Sequence, residues 1–334
     1  MMRRLALAAF AASARGAAPV VRAPPASPLQ PFTVRGRQIL VKRDDRYALP
    51  GALSGVAGNK ARKLYALAER GFGDAKAVAS LGGHQSNAFP CIAALCQSQN
   101  LPFYFVCKPV PRWLRSNPAG NYARALALGA ELVPLKAADY RRCITDEVWR
   151  KELLEDVAGL EPVAWVPQGG ASKDAEPGVQ MLASELGADL KPYPGCRVVV
   201  PAGTGTTALF LARHMREYDV EVCAAPCATS AAELTRQMVV LDAASGNVGV
   251  FPTVLEPSPY RFGAPDARVL ATWRELASVG LHVDLVYAPA AFHALFATCD
   301  DRPQCYVHSG GNAGVATQLN RYRQAGLVGA GEGE

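Results

Sequence analysis

Residues 197–207 read Arg197-Val198-Val199-Val200-Pro201-Ala202-Gly203-Thr204-Gly205-Thr206-Thr207, and ALFLARHMREY follows. An apolar run of strand length passes through two glycines into a segment, 206–218, with apolar residues at helical spacing. A strand without polar alternation suits a sheet covered on both faces. The pattern recurs along the chain. Apolar runs at 77–81, 103–107, 131–135, 163–166 and 220–225 are expected strands, and 87–99, 117–128, 140–157 and 176–186 are expected helices. Short strands alternating with helices predict an α/β fold with a mostly parallel sheet and ligands beyond the carboxyl ends of its strands.

The 334 residues are enough for about two domains of ordinary size. Half of them are apolar and 19% are charged, a globular rather than a disordered profile. No window has the roughly 18–20 unbroken apolar residues of a spanning helix, so no membrane role is expected. The net charge of +6 comes from Arg3, Arg4, Arg15, Arg22, Arg35, Arg37 and Lys42, in a stretch without a single acid. The rest is close to neutral and lacks a basic stripe, so no nucleic-acid partner is expected. Residues 1–28, MMRRLALAAFAASARGAAPVVRAPPASP, read as an address. Acid-free, Arg-containing and Ala-rich, they fit an organelle transit peptide, here taken as mitochondrial. A secretory signal with an apolar core at 5–12 and cleavage after Ala12-Ser13-Ala14 is the competing reading. Nine scattered cysteines suggest neither a disulfide framework nor a zinc site. The five histidines form no H-E-x-x-H pattern, and no metal centre or nucleophile elbow is expected.

Four constellations carry chemistry. Gly58-Asn59-Lys60-Ala61-Arg62-Lys63-Leu64 runs from a loop into a helical pattern. A lysine at a helix start has a lowered pKa, and only a neutral amine attacks an aldehyde; a solvated surface lysine is the plainer alternative. Gly82-Gly83-His84-Gln85-Ser86-Asn87 lies between a strand and a helix, and its freed amides suit a substrate carboxylate. An ordinary helix cap by Ser86 or Asn87 would look the same. In the loop Gly203, Thr204, Gly205, Thr206 and Thr207, amides and hydroxyls at a helix start form a phosphate cup. The loop also matches G-x-G-x-x-A, but the next strand ends Ala224-Ala225-Pro226, without the acid that a dinucleotide ribose needs. A lone phosphate is the better reading. Last, Asp284-Leu285-Val286-Tyr287 and Tyr306-Val307-His308-Ser309-Gly310-Gly311 each place a polar side chain at the end of an expected short strand.

In this order, Gly58-Asn59-Lys60-x-x-Lys63-Leu64, Gly82-Gly83-x-Gln85-Ser86-Asn87, the 203–207 loop, Val286-Tyr287 and His308-Ser309-Gly310-Gly311 resemble the fold-type II enzymes of pyridoxal 5'-phosphate (PLP). The group resembled is that of D-cysteine desulfhydrase and 1-aminocyclopropane-1-carboxylate (ACC) deaminase, over residues 42–313. The resemblance implies a tryptophan synthase β-like fold of two domains, each a mostly parallel sheet flanked by helices. Residues 31–63 with 173–330 would form the large PLP-binding domain, 64–172 the small domain, and 1–30 the address. It implies Lys60 as the Schiff-base lysine, Lys63 near the phosphate, and Asn87 on the cofactor's ring hydroxyl. Ser86 would meet the substrate carboxylate, Gly203, Thr204, Gly205, Thr206 and Thr207 the phosphate, and Tyr287 would be the active-site tyrosine. Ser309 would partner the pyridine nitrogen, where a neutral hydroxyl favours elimination over transamination.

The chain departs from the group's pattern at three places. Ala288 follows Tyr287 where ACC deaminases carry a glutamate, Ala88 follows Asn87 where a polar residue is usual, and the phosphate loop is threonine-rich. The expected activity is β-elimination from a small amino acid, D-cysteine first, by a homodimer. ACC deamination is the alternative within the group; a nicotinamide dehydrogenase and a non-catalytic PLP-binding protein are the alternatives outside it.

Overall fold

The computed structural model describes residues 22–298 and 300–329. Strands β1 (Leu29–Val34) and β2 (Arg37–Lys42) form a hairpin, and helix α1 (Asn59–Arg70) follows. Then come β3 (Ala77–Leu81), α2 (Ala88–Ser98), β4 (Phe103–Cys107), α3 (Arg112–Ser116), α4 (Gly120–Ala127), β5 (Ala130–Pro134), α5 (Ala137–Thr145), α6 (Glu147–Ala158) and β6 (Val163–Val166). The chain continues through α7 (Glu176–Asp189), β7 (Cys196–Ala202), α8 (Thr206–Met215), β8 (Val220–Pro226), α9 (Ala231–Ala244) and β9 (Thr253–Val254). It closes with α10 (Ala267–Ser278), α11 (Ala288–Ala297), β10 (Gln304–Val307) and α12 (Val315–Gln324).

These strands build two sheets, a six-stranded one ordered β1-β2-β10-β7-β8-β9 and a four-stranded one ordered β5-β4-β3-β6. Every pairing is parallel except the β1–β2 hairpin. Both sheets are covered on both faces, which explains the unbroken apolar runs. In β7, Val198 and Val200 face the core of α7, α8 and α9, while Val199 faces that of α10 and α11. In the smaller sheet, Val78 faces α1 and α2, and Ala77 and Ala79 face α5 and α6. The α/β architecture and the six strands expected between residues 77 and 225 are therefore present.

Some expectations are corrected. The helix expected at 140–157 is two helices, because Asp146 accepts the Trp149 amide at 2.9 Å and starts a new one. Residues 284–287 are not a strand; they lead irregularly into α11. The expected address at 1–30 lies outside the described residues up to 21, but its end is folded. Ser27 is buried with its amide on Glu185 at 3.0 Å, and β1 starts at Leu29. The division drawn between Lys63 and Leu64 falls inside α1, whose Ala61 and Leu64 share one core. The eight described cysteines are free and buried, behaving as small apolar side chains.

Helix α1 lies between the sheets. Its apolar face packs with α2 and the small sheet, and its other face meets α7. There the Arg62 guanidinium, fully buried, pairs with Asp44 at 2.8 Å and Glu185 at 2.7 Å and lies 3.3 Å over the Tyr47 ring. Lys42, also fully buried, joins Glu185 at 3.0 Å and Asp189 at 2.8 Å. Gly178 of α7 abuts α1 directly: a Cβ there would lie 1.9 Å from the Arg62 carbonyl oxygen. Gly→Ala in an open helix stabilises by about 1 kcal/mol. Here the sign should reverse, with Gly178→Ala lowering stability by about 1–3 kcal/mol because backbone must move. A urea midpoint that stays or rises would contradict this contact.

Candidate active site

Four strand ends open into glycine turns: β3 into Gly82-Gly83, β6 into Gly169-Gly170, β7 into Gly203-Thr204-Gly205, and β10 into Gly310-Gly311. All are carboxyl ends, where parallel sheets present ligands. Contacts among these turns trace a closed ring that begins and ends on α1. The Asn59 amide donates to the Ser309 carbonyl at 3.0 Å. Gly58, at φ +66°, lies so close that a Cβ would be 2.3 Å from that same oxygen. Beyond Ser309, a Cβ on Gly311 would lie 2.8 Å from Asn87 Nδ2 and 3.5 Å from Asp284 Cβ.

Asp284 accepts the amides of Val286 at 2.8 Å, Tyr287 at 2.5 Å and Ala288 at 3.2 Å, which fixes Tyr287 at the start of α11. The Tyr287 ring is 3.4 Å from where a Cβ on Gly203 would sit. Thr204 is 3.9 Å from the corresponding point on Gly169, and the Gly169 carbonyl accepts Lys63 Nζ at 3.2 Å. The ring is thus back on α1, one turn from Lys60. Lys63, Asn87, Gly203, Thr204, Tyr287 and Ser309 lie on it, and Lys60 follows Asn59, to whose Oδ1 its Nζ donates at 2.9 Å.

The remaining expected residues fall beside these. Gly205 precedes α8 at φ +72°, Thr206 and Thr207 are buried in its first turn, and the Thr204 and Thr206 hydroxyls are 2.9 Å apart. Ser86 is half-buried before α2, and its hydroxyl accepts the Ala88 amide at 3.3 Å. Asn87 does not cap the helix; its Oδ1 accepts Asn121 Nδ2 at 2.7 Å.

Burial governs the titration of the site. It lowers the Lys60 ammonium below its ordinary value, opposed by nearby Cys91, and Lys60 Nζ donates to Asn59 Oδ1 at 2.9 Å. The helix start was the expected cause; the lowering found comes from burial. Lys63 is held well below 10.5, by burial first and then by the charge of Lys60. Burial, then Cys227 and Asp284, raises the Tyr287 phenol. The Ser309 hydroxyl is buried without a hydrogen-bond partner, a costly arrangement for the protein alone. Asp284 is raised by burial, with His308 and its three amides opposing. His308 Nδ1 accepts the Gly310 amide at 3.3 Å and Nε2 donates to the His282 carbonyl at 2.9 Å, which fixes the turn that carries Ser309.

This set fits a flat aromatic aldehyde with a phosphate. Lys60 offers an amine whose pKa burial lowers, the 203–207 loop and Lys63 an anion cup, and Ser309 a free hydroxyl for a ring nitrogen. It does not fit a dinucleotide. Strand β8 ends at Pro226, while Glu221 at its start pairs with Arg197 at 3.2 Å and Arg302 at 2.9 Å. Sequence reading missed Gly169-Gly170, although the signal was the same as elsewhere, a glycine pair after an apolar strand. It also missed Asn121 and gave Asp284 no role.

No family model matches the chain, and no curated protein matches it. Among solved structures it is similar to an ACC deaminase homologue, at 22% identity and TM-score 0.72 over 89% of this chain and 94% of that one. It is similar to a hydrogen sulfide-producing enzyme from Fusobacterium nucleatum, at 15% identity and TM-score 0.53 over 85% and 92%. A pyridoxal 5'-phosphate-dependent aspartate racemase is also similar, at 14% identity and TM-score 0.55 over 86% and 90%. At such identities the likeness is one of fold. The architecture is that of the fold-type II PLP enzymes, with two mostly parallel, helix-flanked sheets as in the tryptophan synthase β-like fold.

The depressed pKa of Lys63 makes a signed prediction. Its charge is penalised in the folded state, so that cost is fully present below the folded pKa and fades as pH rises toward 10.5. In ligand-free protein Lys63→Met should therefore raise the melting temperature at neutral pH, with the gain shrinking as the solution is made alkaline. A gain independent of pH would contradict the burial of a chargeable amine.

Proposed function

We propose that the chain is a PLP-dependent lyase that eliminates a β-substituent from a small amino acid, with D-cysteine as the leading substrate. The observation that carries this reading is the partnerless, buried Ser309 hydroxyl on the turn held by Asn59, directly before Lys60. When bound, PLP supplies an electron-withdrawing ring that acidifies the substrate's α-C–H bond. Lys60, whose ammonium pKa is lowered by burial, is the base for that proton. Tyr287, whose phenol is pushed up by burial, keeps its proton and serves as the acid toward the departing sulfur. Ser86 and the start of α2 take the carboxylate. Ser309 has no negative charge to hold the ring nitrogen protonated, and this favours elimination. D-cysteine and water then give pyruvate, hydrogen sulfide and ammonia. A homodimer, with a mitochondrial address in its leader, completes the proposal.

One finding favours a second reading, ACC deamination: the similarity to an ACC deaminase homologue. Against it, Ala288 is buried with its amide on Asp284 and brings no carboxylate next to Tyr287.

Purified, PLP-loaded protein should release hydrogen sulfide and pyruvate in equal amounts from D-cysteine. Lys60→Ala should lower the rate by roughly 10²–10⁴-fold and remove the absorbance near about 410–430 nm expected of a PLP imine. Release of 2-oxobutanoate from ACC, with D-cysteine inert, would select the second reading. A colourless protein indifferent to added PLP would overturn both.

A further inference from the structure

We infer that Asn121 is a positioning residue: it decides which side of the Asn87 amide faces the cleft. The inference rests on the PLP reading above. Asn121 is 1% exposed and sits in the first turn of α4. Its backbone amide donates to Gln85 Oε1 at 3.0 Å, and Gln85 Nε2 donates to the Ala119 carbonyl at 3.0 Å. Its side-chain Nδ2 donates to the Gln85 carbonyl at 3.1 Å and to Asn87 Oδ1 at 2.7 Å.

The order of these bonds fixes atoms that an amide could otherwise exchange. A backbone carbonyl only accepts, so the group of Asn121 that faces the Gln85 carbonyl must be its NH₂. That NH₂ has two hydrogens, and the second meets Asn87, which must therefore turn its oxygen toward Asn121. The Asn87 NH₂ is left on the other side, toward Gly311, where a Cβ would be only 2.8 Å away. Asn87 consequently offers donors, not an acceptor, to the cleft that contains Lys60 and Ser309. A ring oxygen carrying negative charge is the group that such donors select. Helix α12 backs the arrangement, since a Cβ on Gly120 would be 2.6 Å from both Gln85 Oε1 and Thr317 Cγ2.

Asn121→Asp keeps the size and replaces the donor by an acceptor, so Asn87 should turn its NH₂ inward and its oxygen toward the ligand. The test titrates PLP into the unsubstituted chain and the variants, reading affinity and the absorbance of bound PLP. Affinity should fall by about tenfold or more, the net value of a charge-assisted hydrogen bond, and the absorbance maximum should move. Asn121→Ser, too short to reach Asn87, should lose less and carries the test should the aspartate variant not fold. In an Asn87→Ala background neither change should have a further effect on affinity or spectrum.

Folded variants with unaltered affinity and spectrum would overturn the inference, as would losses that simply add to that of Asn87→Ala. Absence of PLP binding by the unsubstituted chain would instead overturn the cofactor reading, and the inference with it.

Discussion

The site depends on where α1 is held. This helix carries both amines of the cleft, Lys60 and Lys63, and it is clamped from two sides. Its apolar face shares a core with α2 and the small sheet, and its Arg62 is locked into a buried cluster with Asp44 and Glu185. Breaking one partner of such a pair leaves an uncompensated charge, at a cost of about 3–5 kcal/mol. The contact between Gly178 and the Arg62 carbonyl sets the distance to α7. The two lysines thus lie between the layers by the packing of the whole molecule, not by a local loop.

Once α1 is fixed, the rest of the cleft follows from strand ends. Parallel strands stop on the same side of their sheet, and the glycines after them let main chain approach main chain. Gly58 against Ser309 is the tightest example. The groups brought together are mostly hydroxyls and amides, with one carboxylate spent on three backbone N–H groups and two amines whose pKa burial lowers. Such a cleft presents hydrogen-bond donors beside an amine of lowered pKa.

Much of this was legible in the sequence. The strands buried on both faces stand out as unbroken apolar runs, and the glycine pairs mark their ends. The individual site residues were legible through motif order; their contacts were not. The β1–β2 hairpin was hidden because its surroundings read as a basic leader, whereas Ser27 and Lys42 are bound into the charge cluster of α1. Asp284 and Asn121 gave no local signal. Each acts through a neighbour, Tyr287 or Asn87, and the partnership appears only when distant segments meet. The cause of the lowered Lys60 pKa was also out of reach, because burial is a property of the folded chain.

The central claim is that Lys60, and not Lys63 one turn later, is the amine aimed at the bound aldehyde. Borohydride reduction of the PLP-loaded protein, followed by peptide mapping, tests it directly. The account predicts that the reduced cofactor is attached to Lys60 alone. Attachment to Lys63 or to any other lysine, or no attachment at all, would contradict it.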